Sequence, residues 1–311
     1  MFWQHEFVYI SKSFLLNKVT IVIKQGVTIG LQEEMGEPLF EYFKSLKERS
    51  KKPSILAIVG AGLSAPSGLP ASHHPNTEAA IIWRNYTAID LATPDAFDAN
   101  PALVWMYYAY RRHMALNASP NRAHYLLKEL SECEGLEFLT ISQNMDGLSR
   151  RAGHFKRLVE FHGSLFSVKC TNFSCFYQAT NYDDPLTPLL DVETWGDSLP
   201  KITELSQLPT CPLCGDLLRP GVVWFGESLP LYVVDQVDEF IIGHGIDLLI
   251  IVGTSHSIWP VSSYIDIAHN QGGNIAVFNT QPDDIRSTYD DETTVWEFIG
   301  DCSSTLPKVF N

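Results

Sequence analysis

Four cysteines fall in two close pairs, Cys170-x4-Cys175 and Cys211-x2-Cys214, with 35 residues between the pairs. Thiolates at such spacings can close a tetrahedral zinc site. Four of them leave no open coordination position, so a zinc ion held there would be structural. The same cysteines could form two disulfides, or be buried as small apolar residues. The flanking turn residues Asn172, Pro212 and Gly215 favour the metal, as does an N-terminus without a basic segment ahead of an apolar core. Cys133 and Cys302 stand outside the two pairs.

A second group of residues could bind a nucleotide. Gly60-Ala61-Gly62-Leu63-Ser64-Ala65 directly follows the apolar run Ser54 to Val59. Glycines there let the backbone turn tightly and approach a pyrophosphate, and a following helix offers free N–H groups. The loop could equally be a tight strand-to-helix turn with no ligand, since the acidic residue expected about 20 positions later is not clearly placed. Ser142-Gln143-Asn144-Met145-Asp146-Gly147 sets two amides and a carboxylate at the end of another predicted strand, where open α/β sheets bind ligands. It could also be an Asx turn that caps a helix. Gly253-Thr254-Ser255 and Phe278-Asn279-Thr280 end two later strands. Small polar residues there suit a ribose and an adenine, or an ordinary loop.

A candidate proton acceptor is His162, in Phe161-His162-Gly163-Ser164. An imidazole titrates near neutrality and can act as a general base. The chain has ten histidines, so residue type alone does not select this one.

These groups need a scaffold. The continuous apolar runs Ser54 to Val59, Leu136 to Ile141, Asp247 to Val252 and Asn274 to Phe278 read as buried parallel strands. Helical patterns lie between them, at Pro101 to Leu116 and Ala123 to Ser131, and a charged one runs from Glu33 to Lys51. The alternation predicts an α/β protein with a Rossmann-like, doubly wound parallel sheet. The stretch with both cysteine pairs breaks the pattern. The expected organisation is therefore an irregular N-terminal extension over 1–32, a Rossmann-like domain from 33–166 and 220–311, and a small inserted zinc module at 167–219.

Composition narrows the function classes. Lys plus Arg is 22 and Asp plus Glu is 36, for a formal charge of −14. Such an acidic surface argues against nucleic acid as a direct partner and tolerates basic peptides. No apolar run reaches the ~18 residues of a membrane span. The expectation is a soluble intracellular monomer with reduced cysteines. Lys12, Lys18 and Lys24 near the start are a weak hint of mitochondrial import; the compartment stays open between mitochondrion, cytoplasm and nucleus.

Taken in order, GAGLSAPSGLP, SQNMDGLSRRAG, FHGS, the two cysteine pairs, GVVWFGE and the GTS strand end resemble the sirtuin family, over roughly residues 35 to 310. Within it the chain is most similar to the branch that removes succinyl, malonyl and glutaryl groups from lysine. The resemblance implies NAD as co-substrate, a structural Zn2+, and acylated lysine side chains of proteins as partners. By it, Gly60, Ala61, Gly62 and Ser64 line the pyrophosphate, and Gln143 and Asn144 hold the nicotinamide ribose. Asp146 seats the nicotinamide amide, while Gly253, Thr254, Ser255, Asn279 and Cys302 surround the adenosine. His162 is the general base. Val222, Trp224, Phe225, Gly226 and Glu227 belong to a segment that pairs with the substrate backbone as an added strand. Ala88 widens the acyl pocket, and Tyr108 with Arg111 holds the acyl carboxylate. Residues i and i+3 share one helix face, and a guanidinium beside a hydroxyl suits a carboxylate. Alternatively, the pair is an aromatic–cation contact on the helix surface.

One stretch departs from the family. After Gly68-Leu69-Pro70 the family has Thr-Phe-Arg-Gly, which helps to place nicotinamide and ribose; here the chain runs from Ala71 to Ile82 without Phe or Arg. The alternative this raises is a catalytically impaired protein that binds NAD or ADP-ribose without turning it over.

Overall fold

The computed structural model describes residues 20–22, 28–29, 37–47, 52–70, 83–201, 204–255, 261–282, 285 and 293–310. The variant segment Ala71 to Ile82 lies outside them.

Eleven strands form two sheets among the described residues: β1 (Thr20–Val22), β2 (Thr28–Ile29), β3 (Ser54–Val59), β4 (Glu137–Ser142), β5 (Leu158–Glu160), β6 (Gly163–Cys170), β7 (Gln178–Thr180), β8 (Leu218–Val222), β9 (Leu248–Val252), β10 (Asn274–Asn279) and β11 (Val295–Ile299). The larger sheet has the order β2-β1-β11-β10-β9-β3-β4-β5. Its six strands from β11 to β5 run parallel. The chain builds outward from β3 to one edge and then returns to β9 on the other side. The β3/β9 boundary is thus the switch point at which open α/β sheets form their ligand crevice.

Every residue of β3 and of β9 is buried, as a sheet covered on both faces requires. Alternate residues serve opposite cores because strand side chains alternate in direction. Ile55, Ala57, Val59, Leu248, Ile250 and Val252 join one cluster, closed by Leu127 and Leu130 of the helix Arg122–Glu132 and Leu306 of the helix Cys302–Phe310. Leu56, Ile58, Leu249 and Ile251 face the other way, onto Val237 of Leu231–His244 and Ile265 of Val261–Asn270.

The second sheet, β7-β6-β8, is antiparallel and carries the cysteine segment. The 17-residue helix Pro101–Asn117 covers it. This helix starts where it does because the Asn100 side chain accepts from the Leu103 N–H at 3.1 Å, with proline at the first helical position. Trp105 packs in the shared core and donates its indole N–H to the Leu218 carbonyl at 2.8 Å. Arg112 is buried and donates to the carbonyls of Leu165, Asn181 and Asp183. Burial lowers its pKa to about 10, so it still carries its charge at neutral pH and ties the helix to the small sheet.

One expectation is corrected by the larger sheet. The first 30 residues are not wholly irregular, because β1 pairs with β11 and β2 pairs with β1, both antiparallel. Of the helix expected from Glu33 to Lys51, the part within the described residues is helical over Glu37–Lys47. Among the described residues, no helix is long and apolar enough to cross a membrane.

Candidate functional site

The glycine loop, Gln143 to Asp146, His162, Gly253 to Ser255 and Asn279 lie at the carboxyl ends of β3, β4, β5, β9 and β10. The loop after β3 is tied to the loop after β9 by backbone: the N–H of Gly60 donates to the Val252 carbonyl, and that of Gly62 to the Gly253 carbonyl, both at 2.9 Å. The fit explains two glycines. A Cβ on Gly62 would lie 2.5 Å from the Gly253 Cα, and Gly253 itself has φ +58. These residues therefore bring the ends of two strands into contact at the switch point of the sheet.

The polar groups there have fixed directions. The Thr254 hydroxyl donates to Gln143 Oε1 at 2.6 Å, which leaves the Gln143 amide nitrogen as a free donor. The Asn144 side-chain nitrogen donates to the Gly60 carbonyl at 2.9 Å and to Ser64 Oγ at 3.2 Å. Asp146 Oδ1 accepts from the Leu148 N–H at 2.8 Å. Burial lifts the pKa of its carboxyl, a rise opposed by the Ser64 hydroxyl, the Leu148 N–H, Arg111 and Arg151. Asn279 donates to the Thr254 carbonyl at 3.4 Å. The buried Cys302 thiol donates to the Gly62 carbonyl at 3.3 Å, with its pKa pushed up by burial to about 12. Ser255 is half-buried beside Thr254.

His162 lies between β5 and β6, and its Nδ1 is 2.8 Å from the Gln143 carbonyl. A carbonyl oxygen only accepts, so Nδ1 carries the hydrogen and the Nε2 lone pair is free. Burial lowers the pKa of this imidazole, and the Gln143 carbonyl only partly offsets that. The ring is therefore neutral at physiological pH, the form a general base needs.

The segment after β8 adjoins this histidine, with the Val223 N–H donating to the His162 carbonyl at 3.0 Å. Val222 and Trp224 are buried, and Phe225 is exposed. Glu227 is turned inward. It takes two bonds from Arg219, at 2.6 and 2.9 Å, and one from the Trp224 N–H at 2.8 Å. Arg219 stacks 3.4 Å from the Trp224 ring. The Glu227 carboxylate thus shapes the turn that includes Gly226, while the exposed Phe225 marks the open side.

Tyr108 and Arg111 are three residues apart on the long helix, and Arg111 lies near Asp146. Tyr108 is buried, and burial raises its hydroxyl pKa although Arg111 pulls the other way. Trp224 donates its indole N–H to the Tyr108 oxygen at 3.0 Å. Arg111 is half-buried; burial would lower its pKa, but Tyr107, Tyr108 and Asp146 together raise it. Ala88 opens the short helix Ala88–Leu91, capped by Thr87.

The sulfurs of Cys170, Cys175, Cys211 and Cys214 all lie within 4.8 Å of one another, with Cys170–Cys214 at 3.5 Å and Cys175–Cys211 at 3.7 Å. Four sulfurs at ~2.3 Å from a tetrahedral zinc would be roughly 3.8 Å apart. A disulfide needs about 2.05 Å. The donor set fits a closed zinc site, supported by the Asn172 N–H on the Cys170 sulfur at 3.4 Å.

Two contributors were not expected from the sequence, Asn121 and His124. Asn121 caps its helix and also donates to the Leu63 carbonyl at 2.7 Å. Its N–H donates to His124 Nδ1 at 3.2 Å, which puts the ring hydrogen on Nε2, 3.5 Å from Ser64 Oγ. The spacing Asn121-x-x-His124 at a helix start is a capping signal that could have pointed to them.

The fold and site define an open, doubly wound nucleotide-binding protein with a four-thiolate module. A model of the Sir2 family matches residues 60–260, and the chain belongs to that family. It is 43% identical to an NAD-dependent protein deacylase of Candida albicans, over 88% of this chain and 97% of that one. It is 38% identical to the mitochondrial NAD-dependent protein deacylase sirtuin-5 of Canis lupus familiaris, over 83% and 81%. A solved Sir2 homologue–NAD complex superimposes with TM-score 0.67 and 32% identity, covering 87% of this chain and 92% of that one.

Proposed function

We propose that this chain is an NAD-dependent protein-lysine deacylase that favours acyl groups ending in a carboxylate: succinyl, malonyl and glutaryl. The Candida and dog relatives are both deacylases by name, the latter a sirtuin-5. The observation that carries the reading is the bond between His162 Nδ1 and the Gln143 carbonyl, which frees Nε2 as a proton acceptor.

NAD supplies an activated ribose carbon that can accept the acyl oxygen as nicotinamide departs. The chain's own residues do the rest. Gly60, Ala61, Gly62 and Ser64 form the cradle for the pyrophosphate, and Gln143, held by Thr254, offers its amide nitrogen to the ribose. Asn144 braces the glycine loop, and Asp146 sits where a carboxamide can be held. Gly253, Ser255, Asn279 and Cys302 line the adenosine end. His162 Nε2 takes a proton from a ribose hydroxyl. Val222 to Glu227 offers backbone to the peptide, with Glu227 keeping the turn in shape. Ala88 leaves room for the acyl chain, and Arg111 with Tyr108 binds its carboxylate. Cys170, Cys175, Cys211 and Cys214 hold a structural zinc that takes no part in the reaction. The Rossmann-like domain over 33–166 and 220–311 and the zinc module over 167–219 flank this cleft. The chain acts as an intracellular monomer on protein lysines, away from nucleic acid and membranes; the sirtuin-5 relative of the dog is mitochondrial by name.

A protein that binds NAD without turning it over is not favoured. The free Nε2 of His162, the Gln143 amide and the Tyr108–Arg111 pair all support turnover. The test is His162→Ala, which is expected to lower deacylation by roughly 10²–10⁴-fold while NAD still binds. Turnover within a few-fold of the parent would remove His162 from the role.

A further inference from the structure

Tyr107 has entered the site only by favouring the charged form of Arg111, yet its ring also supports that side chain. The two are four residues apart on the helix Pro101–Asn117, so their side chains share a face. The Arg111 guanidinium carbon lies 5.7 Å from the centre of the Tyr107 ring, within cation–π range. The Tyr107 ring is itself fixed from behind. Trp83 meets it edge-on, at 5.7 Å between centres and 61° between planes. Trp83 is held by a two-residue turn in which Arg84 and Asn85 have φ 47 and 74, and it exchanges backbone bonds of 2.8 and 2.9 Å with Tyr86. Arg84 then reaches the carbonyls of Gly196 and Asp197, at 2.9 and 2.7 Å. The support thus runs without a break from the loop at Gly196, through Trp83 and Tyr107, to Arg111.

We infer that Tyr107 is a specificity-determining positioning residue, which pre-sets the Arg111 guanidinium for an acyl carboxylate. The inference rests on the acidic-acyl reading of the Tyr108–Arg111 pair and extends it to a third side chain. The physical reason is entropic. An arginine side chain free in the pocket would lose rotamer freedom each time a carboxylate bound. A side chain already held on an aromatic face loses less, and affinity rises by that difference. The hydroxyls of Tyr107 and Tyr108 also favour the charged guanidinium, against burial, which opposes it. Tyr107 reaches the substrate only through Arg111, so an acyl group without a carboxylate should not register its loss.

The test compares kcat and KM on succinyl-lysine and acetyl-lysine peptides for the parent, Tyr107→Phe and Tyr107→Leu. Tyr107→Leu removes the aromatic face. It should lower the succinyl-to-acetyl ratio of kcat/KM by about five- to tenfold, through KM for the succinyl peptide. Tyr107→Phe keeps the ring and should lower the ratio by about two- to threefold, the share of the hydroxyl. If the leucine variant melts early, the phenylalanine variant decides alone. A ratio unchanged in the folded variants, or an equal loss on both peptides, would overturn the inference and leave Tyr107 a packing residue. A parent that turns over acetyl-lysine at least as well as succinyl-lysine would overturn the acidic-acyl reading itself, and this inference with it.

Discussion

The indole N–H of Trp224 donates to the hydroxyl oxygen of Tyr108 at 3.0 Å. Trp224 belongs to the segment expected to receive the substrate backbone, and Tyr108 to the helix expected to receive the acyl carboxylate. With its oxygen occupied as an acceptor, the Tyr108 hydroxyl keeps its own proton free to donate. One bond thus aligns the peptide track with the acyl pocket and sets the polarity of the pocket's tyrosine.

The acyl choice follows from this pair. Arg111→Met should cut succinyl-lysine turnover by about one to two orders of magnitude, since hydrogen bonds to charged groups contribute roughly 1.5–3 kcal/mol. Tyr108→Phe should cut it less, because one neutral donor goes and the ring stays. Acetyl-lysine has no carboxylate, so its rate should hold or rise. Initial rates on a panel of acetyl-, malonyl-, succinyl- and glutaryl-lysine peptides measure this. A parallel fall across the panel would mean that Arg111 acts on the fold and not on the acyl group.

Much of this site is legible in the amino-acid sequence, and the reason is chemical. Ser54 to Val59 is apolar at nearly every position because both its faces are covered, so the strand and the glycine turn after it stand out. The cysteine pairs declare themselves by spacing. The small sheet is harder to see. Its strand Leu218–Val222 includes Pro220 and Gly221, which weaken a strand pattern, and its burial alternates. The strand Val295–Ile299 has Glu297 in its middle. Tyr107 is hidden in the aromatic run from Trp105 to Tyr110, where most of the side chains pack in the core. Periodicity does not say which of those rings carries the guanidinium; the three-dimensional arrangement does. Glu227 stands out as a charged residue in a substrate segment, but its charge is satisfied by Arg219, 8 residues back in the chain.

The four-cysteine cluster should bind one equivalent of zinc. Cys175→Ser should lower thermal stability and zinc content together, with activity lost in proportion to folded protein, because a closed site holds structure and does no chemistry. Metal analysis of purified protein checks this. Well-folded material with less than about half an equivalent would contradict it.

Acid should weaken the fold through two buried histidines. Burial lowers the pKa of His124 and of His154 to about 4, from 6.5. Both are neutral in the native state, whereas in the unfolded chain they take up protons as pH falls below 6.5. Stability is therefore complete above that pH and is lost as pH falls toward 4. Between pH 7.5 and 5 the loss should be about 2 kcal/mol per histidine. Urea unfolding at the two pH values measures it, and His154→Leu should make the dependence shallower. A midpoint independent of pH across this range would show that the two rings keep an ordinary pKa in the native state, with acceptors available to their charged forms.

A deacylase of this kind spends one NAD for each acidic acyl group that it removes from lysine. Mass spectrometry of NAD incubated with the protein and a succinyl-lysine peptide tests it most directly. Free nicotinamide and succinylated ADP-ribose are expected in equal amounts, matched by unmodified lysine in the peptide. NAD and peptide both recovered intact, from protein that is folded and loaded with zinc, would contradict it.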